Sequence, residues 1–387
     1  MILNEIFLNT NNSLVRMKIL ATAKQRGSAQ ALEPVIRELI KRSHVIKVYA
    51  TGNEAEAAGF GTVINYEIIS PQEKDYPLLV KGCDLVLLGL SGYETPDGYF
   101  LRAANKKGTP TIAVQDQDAG YMERLGKDPQ ELPSVISVMN KECLETMKSE
   151  LPCEMAEEAI KRTRVVGWTA FDDYARIRNE FTGAHRENLL QSILINPRNE
   201  IYTHFTQNIP PESAYMKPLT WPYLRKEEYY DYETKVTQKV FEAASDLKLK
   251  LIVRPHPGEE GEFTSELSKK HDFIFIPARA CESKKLILAS YSVTAGRSTA
   301  LAEACLLDRN AGGILPDVKP EAIRPFPAIS LGAIPYTLTF SGIKGILQQI
   351  TSKDENINNI LAEDRKKFSV DGKASARLAD LVETYCI

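Results

Sequence analysis

Between positions 291 and 304 the chain reads Tyr-Ser-Val-Thr-Ala-Gly-Arg-Ser-Thr-Ala-Leu-Ala-Glu-Ala. An apolar run meets Gly296, then Arg297, Ser298 and Thr299, then an apolar helical pattern that carries one carboxylate, Glu303. A strand that turns through glycine into a helix leaves backbone N–H groups unpaired beside a positive dipole end, which suits a phosphate. Glu303 lies one helical turn past Thr299 and on the same face, where it can accept hydrogen bonds from ribose hydroxyls while the turn holds a diphosphate. Earlier in the chain Arg254-Pro255-His256-Pro257 follows a strand-like run over 249–253. The flanking prolines preset the direction of the His256 imidazole, a donor or acid beside a phosphate, and Arg254 supplies a cation. Together these residues point to a nucleotide-sugar site.

The first half offers carboxylates. Asp116 and Asp118 follow a buried-type run over 111–114 and have the chemistry of a base for an acceptor hydroxyl; a turn and helix cap before Ala119 explains them equally well. Glu94 and Asp97 read as a helix N-terminus. Gly27 and Ser28, after the first strand-like run, are a second place for substrate to approach the backbone. Each of the later candidates has a plainer reading as well. For Glu303 that reading is a solvated helix position, which its neighbours Leu301, Ala302, Ala304, Leu306 and Leu307 oppose. His256 has packing between prolines as its alternative, and Arg254 has pairing with Glu259 or Glu260. Tyr223, Tyr229, Tyr230 and Tyr232 either stack on sugars or bases or simply pack.

The elements that must position these residues are short apolar runs alternating with helical patterns, the signature of parallel α/β architecture. A first series has strands at 18–23, 45–50, 84–88, 111–114, 134–138 and 165–167, with helices at 29–41, 98–107 and 141–148. A second has strands at 192–196, 249–253, 273–276, 286–293 and 311–315, with a long helix at 226–247. A polar stretch over 172–186 reads as a linker helix, and 207–223 as a long ordered loop. The expected domains are 1–185 and 186–387, and the last two helical patterns, 357–367 and 374–385, are free to pack on either half.

In order and spacing these pieces resemble the GT-B group of sugar-nucleotide enzymes: glycosyltransferases, non-hydrolysing UDP-N-acetylglucosamine 2-epimerases and glycerophosphate transferases of wall-polymer synthesis. The pieces are Ile19-Leu20-Ala21-Thr22-Ala23 running to Gly27 and Pro34, the run 84–91, Ala113-Val114-Gln115-Asp116, Val166-Gly167 with Phe171-Asp172, Arg254-Pro255-His256-Pro257, and 294–303. The resemblance implies an α/β fold of two Rossmann-like parallel-sheet domains facing a central cleft. It implies ribose binding at Glu303, diphosphate binding at Ser298 and Thr299, and His256 near the sugar or phosphate. Two departures stand out: the first loop has one glycine where relatives often have two, and Arg297 replaces the usual small residue. The expected activity is transfer of a sugar from a nucleotide-diphosphate donor, a UDP-sugar, to an unidentified acceptor, with Asp116, His256 and Asp118 as catalytic residues. The first domain would be the acceptor side and the second the donor side, as in polysaccharide biosynthesis. A UDP-sugar 2-epimerase and a non-catalytic nucleotide-sugar-binding protein of the same fold remain open.

Composition narrows the surroundings. The chain has 387 residues, 43% hydrophobic and 26% charged, with net charge −3, so no general basic field for nucleic acid exists. Six cysteines are scattered without Cys-x-x-Cys spacing or neighbouring histidines, against a zinc site or disulfide framework and for a reducing compartment. Residues 1–16 lack the form of a signal peptide and no run is long enough for a membrane span, so a cytoplasmic protein is expected. No cofactor or metal is expected, since a leaving diphosphate can be stabilised by N–H groups and cations. Asp116-Gln117-Asp118 has Asp-x-Asp spacing, but its place in the first half argues against a metal role. Oligomeric state is not legible.

Overall fold

The computed structural model describes residues 16–206, 226–255, 273–296, 298–318, 320–323 and 326–385. The chain divides into two compact units, one of 1–170 with 374–387 and the other of 171–373.

The first unit is built on a seven-stranded sheet with the order β3-β2-β1-β4-β5-β6-β7. Its strands are β1 (Lys18–Ala23), β2 (Val45–Ala50), β3 (Glu67–Ile68), β4 (Leu85–Gly89), β5 (Thr111–Val114), β6 (Val135–Val138) and β7 (Thr163–Val165). Every pairing among them is parallel. Strand alternation sorts the side chains into two cores. Ile19, Ala21 and Ala23 of β1 face a cluster with Leu32, Val35, Ile36 and Leu39. Leu20 joins Val86, Leu88, Phe100 and Leu101 on the other face.

The second unit has a six-stranded sheet, order β10-β9-β8-β11-β12-β13. Its strands are β8 (Ile201–Phe205), β9 (Lys250–Arg254), β10 (Ile274–Phe275), β11 (Ser292–Ala295), β12 (Asn310–Ile314) and β13 (Tyr336–Thr337), again all parallel. The helix Lys226–Asp246 lays Val236, Val240 and Ala244 on Leu251 and Val253. Two parallel sheets flanked by helices are the α/β, two-domain Rossmann-like architecture that the strand–helix series predicts.

Several local expectations are corrected. The run 192–196 is not a strand: the helix Gly183–Ser192 ends there, Leu194 takes a positive φ of 61° and is 95% exposed, and the strand comes later as β8. The run 286–293 splits into the end of a helix, Ser283–Ala289, and β11, because the buried last turn of that helix, 286–289, is as continuously apolar as a buried strand. Strand β7 ends where the expected strand over 165–167 begins. The first unit closes at Ala170, earlier than the 185/186 break, since helix Gly183–Ser192 belongs to the second unit. Arg186 ties it there by donating to the carbonyls of Ala289 (3.0 Å), Pro197 (2.6 Å) and Asn199 (2.8 Å).

The last helix, Ala374–Thr384, returns to the first unit and packs on helix Arg26–Lys41. Arg42 pairs with Asp380 (2.6 Å) and Glu383 (2.9 Å). The His44 Nδ1 accepts from the Met17 N–H at 3.3 Å, which leaves Nε2 as the donor to Glu383 at 3.0 Å. The expected loop over 207–223 lies outside the described residues.

Candidate functional site

In the second unit, β11 ends at Ala295, followed by the buried Gly296 and the turn through Ser298 and Thr299 into helix Ala300–Leu306. The Ser298 Oγ accepts from the Ala300 N–H at 3.2 Å, so this serine caps the helix start. The Thr299 hydroxyl donates to the Glu303 Oε1 at 3.3 Å, one turn further on. Thr299 is exposed and Glu303 half-buried, while Leu301, Ala302, Ala304 and Cys305 around it are buried. Glu303 is therefore the one carboxylate of an otherwise packed helix. Burial pushes its carboxyl above the usual carboxylate range, opposed by the nearby Tyr174, the hydrogen bond from Thr299 and the charges of Arg254 and Lys284.

Two residues near this turn carried no signal in the sequence. Tyr174 comes from helix Tyr174–Glu180, inside the stretch read as a linker, and its buried ring packs edge-to-face on Phe171 at 5.1 Å. His204 is wholly interior on β8, its Nδ1 3.0 Å from the Thr294 Oγ1 on the adjacent β11. Its buried Nε2 has no hydrogen-bond partner among the described residues, and burial lowers its pKa to about 4, so the ring is neutral. Only tertiary pairing of β8 with β11 brings it beside the turn.

Arg254, at the carboxyl end of β9, is buried, and its Nη2 donates to the carbonyls of Ala278 and Cys281, each at 3.0 Å. It fixes the segment after β10 and acts on Glu303 through its charge. His256 and Arg297 lie outside the described residues, as do Tyr223, Glu259 and Glu260. Tyr232 packs: its hydroxyl donates to the Pro316 carbonyl at 2.8 Å and its ring meets Phe340.

In the first unit the expected residues converge on the carboxyl ends of β1, β4 and β5. Asp116 Oδ1 accepts from Arg124 at 2.6 Å and Oδ2 from the Ser28 hydroxyl at 3.2 Å. Ser28 is fully buried; Gly27 approaches so closely that a Cβ there would sit 2.6 Å from the Asp116 Oδ2. Asp116 thus anchors the first turn of helix Arg26–Lys41 to helix Tyr121–Leu125. Among the described residues Asp118 is held by two hydroxyls, Tyr121 at 3.2 Å and Thr146 at 3.0 Å. Asp97, read from the sequence as part of a helix start, is wholly buried. Its Oδ2 accepts from the backbone N–H groups of Lys24 and Ser91 and the Ser91 hydroxyl, its Oδ1 from Thr22. It ties the loop after β1 to the loop after β4, and burial, outweighing these donors, raises its pKa to about 6.

A cavity of about 790 Å³ lies elsewhere, at the amino-terminal edge of β8 and β9, lined by Arg198, Glu200, Lys248, Lys250 and Lys353 among others. Strand ends of the opposite polarity carry the candidate residues, so the turn chemistry and not the cavity marks the site. Among the described residues no group of three His, Cys, Asp or Glu is placed to hold a metal, and no helix is long and apolar enough to cross a membrane.

No protein-family profile matches the chain, and no curated protein matches it. Solved structures do. The S. aureus MnaA–UDP complex aligns with a TM-score of 0.67 at 15% identity, covering 95% of this chain and 96% of that one. The UDP-GlcNAc 2-epimerase from Neisseria meningitidis bound to UDP-GlcNAc aligns with a TM-score of 0.62 at 17% identity, covering 95% and 99%. The wall teichoic acid polymerase TagF aligns with a TM-score of 0.59 at 12% identity, covering 96% and 89%. The chain therefore has the GT-B fold, the fold of these sugar-nucleotide enzymes.

Proposed function

We propose that this protein is a sugar-nucleotide enzyme that transfers a sugar from a nucleotide-diphosphate donor, a UDP-sugar, to an acceptor hydroxyl. The observation that carries the reading is Glu303, set with Ser298 and Thr299 at the carboxyl end of β11 in a fold shared with a structure that holds UDP. On this reading Glu303 takes the ribose hydroxyls, and Gly296, Arg297, Ser298 and Thr299 meet the diphosphate. His256 lies by the sugar or phosphate, and buried Arg254 supplies a fixed positive charge. The second unit is then the donor side and the first unit the acceptor side, with Gly27 at its lining and the buried Ser28 fixing that turn through its hydrogen bond to Asp116.

Transfer forms a bond from the acceptor oxygen to the sugar's anomeric carbon and breaks the bond from that carbon to the diphosphate, which leaves. The acceptor's proton passes to a carboxylate. Asp116 is committed to Arg124, so Asp118, held by two neutral hydroxyls, is the better-placed base of the pair. No metal enters this scheme: the leaving diphosphate is stabilised by backbone N–H groups and cations.

A second reading, 2-epimerisation of a UDP-sugar, has support in the comparison, since several solved 2-epimerases align at TM-scores of 0.62 to 0.65 against 0.59 for the polymerase. It requires a proton donor and acceptor at the sugar's C2. Incubation with UDP-N-acetylglucosamine separates the readings. Release of UDP that an acceptor accelerates supports transfer, and a C2 epimer supports isomerisation. Binding without turnover leaves a nucleotide-sugar-binding protein, and absence of binding refutes the proposal.

A further inference from the structure

The cavity of about 790 Å³ at the amino-terminal edge of β8 and β9 has no part in the nucleotide reading, yet its lining is one-sided in charge. It lies wholly within the second unit. Arg198, Lys248, Lys250 and Lys353 line it, all exposed, and Glu200 is its one acid among the described residues. Lys353 is paired with Glu200 at 3.2 Å. Asp246, the acid that ends helix Lys226–Asp246 just before the cavity, is held by Lys344 at 2.7 Å. Both nearby carboxylates thus have their cations, while Arg198, Lys248 and Lys250 have no ion-pair partner among the described residues. The chain as a whole carries a net charge of −3, so general basicity does not explain the cluster.

Two helices end at this cavity, and cations beside a helix carboxyl end commonly serve its unpaired carbonyls. Here neutral donors already do so. After helix Lys226–Asp246 the Lys248 N–H donates to the Ser245 carbonyl at 3.0 Å and the Leu249 N–H to the Ala244 carbonyl at 2.9 Å. That closure puts Lys248 at a positive φ of 54°, where glycine or asparagine is usual, so the backbone gives no reason for a lysine. At the end of helix Ile343–Ile350, Thr351 donates its N–H and its hydroxyl to the Leu347 carbonyl, at 3.0 and 2.7 Å. The Asn310 amide donates to the Ile350 carbonyl at 3.3 Å. The cations of the lining are therefore not consumed by the helix ends. Asn199 and Gln348 add amide donors, and the buried ring of Tyr202, packed on Tyr291 at 5.7 Å, gives the lining a rigid part.

We propose that this cavity is a binding site for a small polyanion carrying two or more phosphate groups, held by Arg198, Lys248 and Lys250. Three cations around one concavity match a multiply charged ligand, whereas a single phosphate would engage only part of them. The volume is in the range that takes a small organic ligand. The site stands at the opposite strand ends from the turn through Ser298 and Thr299, so it is independent of the nucleotide reading.

The test is NMR titration of the whole chain with tripolyphosphate, at a constant ionic strength of about 0.1 M and with inorganic phosphate as the comparison. Amide shifts are expected at 198–200, 248–250 and 348–351, with an affinity about tenfold or more above that for inorganic phosphate. The double variant Lys248→Gly, Lys250→Gln is expected to lower the tripolyphosphate affinity about tenfold; glycine suits the positive φ at 248, which keeps the helix end intact. Should that variant not fold, Arg198→Gln takes its place, with an expected loss of about threefold. The absence of shifts at these residues up to about 5 mM overturns the proposal, as does equal affinity for the two anions or an affinity that the variants leave unchanged. Shifts confined to 298–303 overturn it as well, since the polyanion then occupies the opposite turn. A response only to vesicles containing phosphatidylglycerol overturns it in favour of a membrane-facing surface.

Discussion

Replacing Asp116 by alanine is expected to destabilise the first unit by about 4 kcal/mol. The carboxylate is 12% exposed and lies 2.6 Å from Arg124, itself 3% exposed, so its removal leaves a buried guanidinium without its counter-charge. Breaking a buried pair from one side costs about 3–5 kcal/mol. The Arg124 Nη1 keeps the Gln115 side chain and the Leu90 carbonyl, each at 3.3 Å, which sets this term near about 3. The Ser28 hydroxyl, fully buried, loses its acceptor and adds about 1 kcal/mol. A chain of two units need not unfold in one step, so amide exchange in 26–41 and 121–125 is the suitable readout. Arg124→Met completes a double-mutant cycle. The double variant should be more stable than the sum of the singles by about 2 kcal/mol or more, because no charge is then stranded. Additivity within about 0.5 kcal/mol would show that the pair is not coupled, and the anchor reading of Asp116 would fall.

Four further outcomes follow from the same geometry. Gly27→Ala should destabilise by about 1 kcal/mol in spite of alanine's better helix propensity, since its Cβ meets an Asp116 oxygen that Arg124 pins; a stabilised variant in denaturant unfolding would mean that the carboxylate yields. Glu303→Ala should weaken nucleoside diphosphate binding about ten- to a hundredfold by calorimetry with the fold intact, and unchanged affinity would place Glu303 outside the site. Asp118→Asn should lower turnover of the true acceptor by about 10²–10⁴ with nucleotide affinity unchanged; normal turnover removes it as the base. Between about pH 6 and 4 the two units should respond oppositely. Asp97, whose folded pKa is raised, stabilises the first unit as it takes up its proton. His204, whose folded pKa is depressed, makes the second unit lose stability as the unfolded chain takes up protons below about pH 6.5. Amide exchange at the two pH values should show slopes of opposite sign, and parallel slopes would contradict the assignment.

Periodicity and composition were enough for the architecture. Runs such as Lys18–Ala23 and Thr111–Val114 are read from the sequence with the bounds the structure shows, because strands buried on both faces are nearly continuously apolar. The same signal misled at 286–293, where a buried helix has an equally apolar sequence, and the two-residue edge strands β3 and β13 are too short to leave any periodicity. Gly296, Ser298, Thr299 and Glu303 were legible as a group because they are neighbours in the chain, and local spacing dictates which helix face they share. What surrounds them was not. His204 reaches Thr294, and Arg124 reaches Asp116 and Leu90, through packing of elements distant in sequence or across a loop. Residue type and spacing thus state which groups are chemically able. Burial and long-range partners, which exist only once the chain has folded, decide which carboxylate is locked to a cation and which is held by hydroxyls.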